Sequence, residues 1–329
     1  VIGCVLLFLY QQRKLKASFT LAGIALLCLI DMWSINKRYL NDEQFVPKSK
    51  QTEAFVKTQA DEMILQDTTL NYRVLNFIGF PGNTFNENNT AYWHKSVGGY
   101  HAAKLRRYQE MIEEHISPEM SNLFKAVSEA GGDMAKVDAS AFPVLNMLNT
   151  RYFIFPLQGG KTMPIQNPYT LGNAWFVDKV QYVNNANEEI ESLHKVMPAK
   201  VAVVDKKFAE QVKPVAVSDS LRFVKLVAYE PNDLKYEVSS EKGGVVVFSE
   251  IYYPGWQAYI DGVEAPHGRA DYILRAMNVP AGKHTVEFKF DPKSLHTTET
   301  IAFVALGLLA MAVLLLLVLQ GKALWGKKG

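Results

Sequence analysis

Basic side chains spaced three residues apart give this sequence its best candidate for ligand chemistry. His101, Lys104 and Arg107 follow Gly98 and Gly99 in the run SVGGYHAAKLRR. Residues three apart on a helix lie on one flank, and two glycines let the backbone approach a ligand closely. The N–H groups and the positive dipole at the start of a helix favour anions. We therefore expect these five residues to bind a phosphate or pyrophosphate group.

The same segment has a second interpretation. Apolar residues at helical spacing predict a helix over Tyr100–Ile116, on which Arg106 and Glu110 are four residues apart and can form an ion pair. The glycines would then form only a turn, and the basic residues would lie on a solvated helix face. The sequence leaves both interpretations open.

Asp31 is a second candidate, because it interrupts the apolar run Ala17–Trp33 near its end. A carboxylate in a membrane span is costly and is often functional. Close to the interface, however, it can be hydrated and can pair with Lys37 or Arg38. Both readings of Asp31 stay open.

Trp256 is a third candidate, because it stands among tyrosines that share its strand-like spacing. Aromatic rings can stack on sugars, which would give a glycan-binding face. At this spacing they more often form the core of a sandwich, and that is the interpretation we favour. The neighbouring tyrosines are Tyr252, Tyr253 and Tyr259.

Other kinds of site are not indicated. The histidines are scattered, and His296 has no partner at metal-ligand spacing, so we predict no metal site. We find no nucleophile-elbow or phosphate-loop motif, and no cofactor is evident. The net charge of +2 predicts no general attraction to nucleic acid.

Long apolar runs predict membrane spans. Ile301–Leu319 has no charged side chain and is followed by Lys322, Lys327 and Lys328, which is a stop-transfer pattern. Ala17–Trp33 forms a second span, and Val1–Tyr10 resembles the end of an earlier helix. Basic residues at 13, 14 and 16 favour a cytoplasmic loop there. The region between the two spans then lies outside the cytoplasmic membrane.

The predicted fold class is an α+β membrane protein. Transmembrane helices near the two ends flank an extracytoplasmic mixed α/β region and a β-sandwich, which short strands and the hairpin signal Asp261-Gly262 indicate. We place the end of one span and a second span in residues 1–35, the mixed domain in 36–198 and the sandwich in 199–297. The last span covers 298–320 and a cytoplasmic tail 321–329.

Several segments resemble the YfhO-like bacterial membrane proteins. They include SVGGYHAAKLRRYQEMI at residues 96–112, LNMLNTRYFI at 145–154 and YYPGWQAYIDG at 252–262. The short NKRYL at 36–40 and PAGKHTVEFKFDP at 280–292 also match. The matches run in order from residue 36 to the last span, so the resemblance extends over most of the chain.

The resemblance implies a location and an activity. YfhO-like proteins are multi-pass proteins of the cytoplasmic membrane and are similar to GT-C glycosyltransferases, which transfer a sugar from a polyprenyl-phosphate carrier to an acceptor outside the cytoplasm. It implies the lipid bilayer, a lipid-linked sugar donor and an envelope glycan acceptor as partners. The catalytic carboxylate of such enzymes is expected in a first outer loop, which would precede residue 1. The alternative is a non-catalytic envelope module that binds glycan or a partner protein.

The topology can be tested by cysteine accessibility. With Cys4 and Cys28 replaced by serine, a cysteine at Asn187 should react with an impermeant thiol reagent in intact cells, because span parity places residues 37–297 outside. A cysteine at Gln12 should be protected. The reverse labelling pattern would refute this topology.

Overall fold

The computed structural model of the protein describes residues 2–48, 50, 55–215 and 221–325, with side chains up to residue 319. The chain forms two compact units, residues 1–56 and 57–329. The α-helices are α1 (Ile2–Gln11), α2 (Ala17–Tyr39), α3 (Gln59–Ile64), α4 (Asn89–Trp93), α5 (Arg106–Met111), α6 (Ser117–Glu129), α7 (Pro143–Met147), α8 (Ala186–Ser192) and α9 (Lys293–Trp325). Short 3-10 turns lie at Asp42–Gln44, Met134–Lys136, Ala139–Ala141, Gln158–Gly160 and Lys206–Phe208.

Fourteen strands are found in the described residues, all of them in the second unit. They are β1 (Arg73–Asn76), β2 (Thr150–Pro156), β3 (Thr162–Gln166), β4 (Ala174–Val177), β5 (Lys179–Val183), β6 (Val201–Asp205), β7 (Phe223–Glu230), β8 (Asp233–Ser240), β9 (Gly244–Ile251), β10 (Trp256–Ile260), β11 (Val263–Ala265), β12 (Gly268–Ala270), β13 (Leu274–Val279) and β14 (Gly282–Phe290).

Two helices are long and apolar enough to cross a membrane. They lie at Ala17–Gln44 and Lys293–Leu319, and they contain the predicted spans Ala17–Trp33 and Ile301–Leu319. The apolar start of the chain forms the shorter helix α1. Residues 326–329 of the predicted tail lie outside the described residues.

A β-sandwich forms the C-terminal part of the second unit. A five-stranded sheet in the order β11-β10-β14-β8-β7 packs on a four-stranded sheet in the order β12-β13-β9-β4. Tyr236, Phe248 and Phe288 fill the space between them and are fully buried. The predicted hairpin is present, since Asp261 and Gly262 have positive φ angles of 50° and 81° between β10 and β11.

The four-stranded sheet is covered on both faces. Val246 and Phe248 of β9 point into the sandwich, whereas Val245 and Val247 belong to a second core that includes the helices. Seven of the eight residues of β9 are buried. Strand β4 lies before the predicted domain boundary between residues 198 and 199, but it pairs with β9 after that boundary.

The strand-like run WFVDKVQYV at residues 175–183 is divided in the structure. Its first part is β4, in the four-stranded sheet, and its second part is β5, which pairs in parallel with β6. Asp178 lies between the two parts. A short break of this kind leaves composition unchanged, so strand composition alone could not reveal it.

The remaining core packs helices against a small mixed sheet. Strand β2 pairs in parallel with β1 and antiparallel with β3. One continuous helical run covers residues 106–129: it begins as α5, passes through a π-helical turn at Ile112–Ile116 and continues as α6. Gly131 and Gly132, both with positive φ, follow its end.

The shared sheet can be tested by a core substitution. Phe248→Ala should lower the free energy of unfolding by about 3–5 kcal/mol, because it leaves a cavity between the sandwich sheets. Thermal unfolding of the detergent-solubilised chain should remain one transition, since β9 contributes to both cores. The control is Val263→Ala, at a residue that is 72% exposed. It should change the free energy of unfolding by less than about 0.5 kcal/mol. Two separate transitions would contradict the shared core.

Candidate functional site

Two adjoining cavities lie between the segment 96–108 and the end of β9. The first has a volume of about 340 Å³ and the second of about 300 Å³. They share Leu105, Tyr108 and Ile251 in their walls. We call the two cavities together the basic groove, because of the side chains that line them.

The groove collects positive charge without a carboxylate in its wall. Arg73, His101 and Lys104 line the first cavity, and Arg106, Arg107 and Arg269 line the second; among the described residues no Asp or Glu lines either. The rest of the second wall is largely apolar or aromatic, from Tyr252, Tyr253, Pro254 and Ile273. The groove is therefore suited to an anion that carries an apolar part.

A buried carboxylate holds two of the arginines. Glu189 on α8 is fully buried, and its Oε2 accepts hydrogen bonds from Arg107 at 3.2 Å and from Arg269 at 2.8 Å. Its Oε1 has no hydrogen-bond partner among the described residues. Two guanidinium groups thus share one carboxylate oxygen. Asp205 lies 3.7 Å from Arg269 and adds a weaker contact.

The turn before β13 completes this arrangement. Arg107 also donates to the carbonyl of Tyr272 and stacks over its ring at 4.3 Å, while the Tyr272 hydroxyl bonds to Glu110. Burial, followed by the bond to Glu110, raises the pKa of Tyr272 to about 12. Asp271 and Tyr272 have φ angles of 48° and 70°. Two successive non-glycine residues in this region are unusual and indicate local strain.

The predicted helix Tyr100–Ile116 begins six residues later than expected. Residues 100–105 form turns, and α5 begins at Arg106. His101 and Lys104 therefore do not share a helix flank with Arg107, which corrects that part of the prediction. They line the first cavity, whereas Arg107 lines the second. The predicted ion pair of Arg106 with Glu110 is present at 2.9 Å.

The two glycines have a structural role. A side chain at Gly98 would meet the carbonyl oxygen of Thr84 at 2.4 Å, and the Gly99 N–H donates to that same oxygen. The backbone thus packs against a neighbouring loop, and the expectation of a helix start directly after the glycines is wrong. Gly98 still forms part of the wall of the first cavity.

The other two candidates lie outside the groove. Asp31 is exposed on α2 and forms no ion pair with Lys37 or Arg38 within the described residues; Lys37 lies instead over the Trp33 ring at 5.8 Å. Trp256 is half-buried at the sandwich edge, with the Arg275 guanidinium 3.8 Å from its ring centroid. This placement agrees with the favoured core interpretation of Trp256. Sugar stacking by Trp256 and a role for Asp31 stay predictions.

Sequence reasoning missed Glu189, Arg269 and Arg73. Glu189 lies 82 positions from Arg107 and 80 from Arg269, and its local sequence is that of an ordinary polar helix. Arg269 lies in a short strand beside a glycine. Nothing in their spacing marks these residues, because the fold alone brings them together.

Comparison with known proteins gives one family. Residues 209–302 match the family model described as bacterial membrane protein YfhO, which confirms the resemblance to YfhO-like proteins for this region. The match covers β7–β14 and the start of α9. No curated protein and no solved structure matches the chain.

Asp271 should make stability depend on pH. It is fully buried, its Oδ1 accepts the Val203 N–H at 2.8 Å, and burial raises its pKa to about 8. Between about pH 4 and 8 the folded state keeps a proton that the unfolded state has lost. The free energy of unfolding should therefore fall as the pH rises through this range, by up to about 1.4 kcal/mol per pH unit.

The matched variant is Asp271→Asn, which keeps the acceptor and tolerates positive φ. Denaturant titrations between pH 5 and 8 should show a smaller fall in stability for this variant than for the parent chain. Buried Glu119, whose pKa burial also raises to about 8, should preserve part of the slope. Equal slopes in the two proteins would show that Asp271 is ionised in the fold.

Proposed function

We propose, from the match of residues 209–302 to the YfhO family, that this chain is a membrane protein whose groove binds a lipid-linked anion. The ligand is the phosphate or pyrophosphate of a polyprenyl-phosphate-linked sugar. The proposed activity is a GT-C-type transfer of that sugar to a cell-envelope acceptor, with the large domain outside the cytoplasmic membrane.

The observation that carries the proposal is the charge of the groove. Arg107 and Arg269 share one buried carboxylate oxygen at hydrogen-bond distance, and Asp205 lies 3.7 Å from Arg269. The excess of positive charge comes from Lys104 in the first cavity, which forms no ion pair among the described residues. The nearby Asp271 does not offset this, because burial keeps its pKa high. An anionic ligand would complete the hydrogen bonding of guanidinium groups that are already oriented.

The apolar wall favours a lipid-linked anion over a free one. Tyr253 is 48% exposed and stands with Pro254 and Ile273 beside the arginines. A free phosphate would gain nothing from these side chains, whereas the first isoprene units of a carrier would bury apolar area on them. The two apolar helices are consistent with such a carrier in the bilayer.

The groove supports binding and orientation of the donor. No carboxylate lines it among the described residues, so no general base is assigned there. Transfer requires an acid or base elsewhere in the active protein. The alternative function, a non-catalytic module that binds envelope glycan or a partner protein, would leave the groove without a lipid phosphate.

Lys104→Ala is the cleanest test of the groove. The Lys104 side chain lines the first cavity, and its Nζ lies 5.5 Å from the Phe85 ring centroid. Its loss should weaken binding of polyprenyl phosphate about tenfold or more, since a charge-assisted contact contributes about 1.5–3 kcal/mol. Binding would be measured by native mass spectrometry of the detergent-solubilised chain.

The controls separate charge from folding. Lys125→Ala removes an exposed lysine from the same helical run as Arg107 and should leave binding unchanged. Arg107→Ala is a poor test, because it leaves buried Glu189 with one partner fewer and should destabilise the fold. Arg107 therefore does not lie on a purely solvated helix face, which was the alternative interpretation of the sequence. Equal binding by Lys104→Ala and the parent chain would refute the groove site, and glycan binding without lipid phosphate binding would favour the module.

A further inference from the structure

A third cavity lies further along the helical run 106–129. Its volume is about 340 Å³, within the usual range for small-molecule sites. It lies between the π-turn with α6, the start of α7 and the loop that follows α8. Its wall includes none of the residues that line the basic groove. The cavity is therefore separate from the proposed lipid-phosphate site.

A π-helical turn brings two histidines together at this cavity. His115 lies in the π-turn and stacks on His194 with ring centroids 4.1 Å apart. Its Nε2 lies 2.9 Å from the carbonyl oxygen of Ile190, which can only accept, so Nε2 carries the proton. Burial lowers the pKa of His115, which leaves Nδ1 as an acceptor. Single π-turns often occur at functional sites.

A buried carboxyl group forms the floor of the cavity. Glu119 is 7% exposed and accepts the backbone N–H groups of Val144 and Leu145, each at 2.9 Å. Burial raises its pKa to about 8, so at pH 7 the carboxyl keeps a proton.

The remaining polar groups balance in charge. Glu114 and Lys195 line the cavity with opposite charges, while Asn122 and Ser140 each offer a donor and an acceptor. No group of three metal-binding side chains occurs in the described part of the chain. A neutral ligand with several hydroxyl groups matches this wall, because each hydroxyl both donates and accepts.

We propose that this cavity, lined by His115, Glu119, Asn122, Ser140 and His194, binds a neutral polyhydroxylated ligand of the size of one sugar ring. Because Glu114 and Lys195 offset each other, the wall favours neither an anion nor a cation, and an apolar ligand would leave its polar groups unsatisfied. The proposal is independent of the proposed function, because it uses none of the groove residues.

Ligand-observed saturation-transfer NMR on the detergent-solubilised chain at pH 7 tests the site, with glucose and N-acetylglucosamine as the probes. We expect saturable binding of at least one sugar. His194→Ala and Asn122→Ala, both at exposed positions, should each weaken it about two- to tenfold, the usual effect of one lost hydrogen bond. Near-UV circular dichroism confirms that each variant is folded.

Two controls locate the binding. Glu113→Gln changes an exposed carboxylate beside the cavity that does not line it, and Lys104→Ala changes the groove; both should bind sugar as the parent chain does. Bound sugar should also slow the reaction of His194 with diethyl pyrocarbonate. No saturable sugar binding, equal binding by His194→Ala and Asn122→Ala, or displacement of the sugar by inorganic phosphate would each overturn the proposal.

Discussion

The basic groove depends on one buried carboxylate. Glu189 lies on α8 and binds arginines from α5 and β12, so it joins three elements that are far apart in the sequence. A buried ion pair of this kind contributes little net stability, because desolvation offsets the attraction, but loss of one partner is costly. Its main effect is geometric: it fixes two guanidinium groups that would otherwise sample many rotamers. The positions of these two guanidinium groups in the second cavity therefore depend on a residue that does not line it.

The shared four-stranded sheet explains why both halves of the second unit are needed for this site. Strand β9 is buried on both faces, and its last residue, Ile251, lies in the walls of both cavities. The helical half supplies Arg107 and the sandwich half supplies Arg269. Packing on both faces of the sheet holds Arg107 and Arg269 at a fixed distance from each other, since close-packed interiors resist small displacements. A stable sandwich alone would carry Arg269 without its partners.

Much of the fold was predictable, because strands and tight turns have recognisable local sequence patterns. The alternation in β14 and the Asp261-Gly262 turn identified elements within a few residues of their observed bounds. The helix over Tyr100–Ile116 was placed too early, because apolar spacing does not reveal that residues 100–105 form turns against a neighbouring loop. Arg107 lines a cavity, but its buried partner could not be predicted, since 82 positions separate Arg107 from Glu189.

The π-turn at Ile112–Ile116 shows how one helical run can serve two cavities. Arg107 and His115 are eight residues apart, or about 12 Å along the run, yet they line different cavities. A π-turn adds a residue to one turn and so rotates everything after it relative to a regular α-helix. In this chain the rotation accompanies burial of His115 against α8 and of Glu119 against α7, while Arg106 stays exposed. Removing the extra residue would change the rotational position of the α6 side chains, so the third cavity depends on an irregularity that apolar periodicity does not encode.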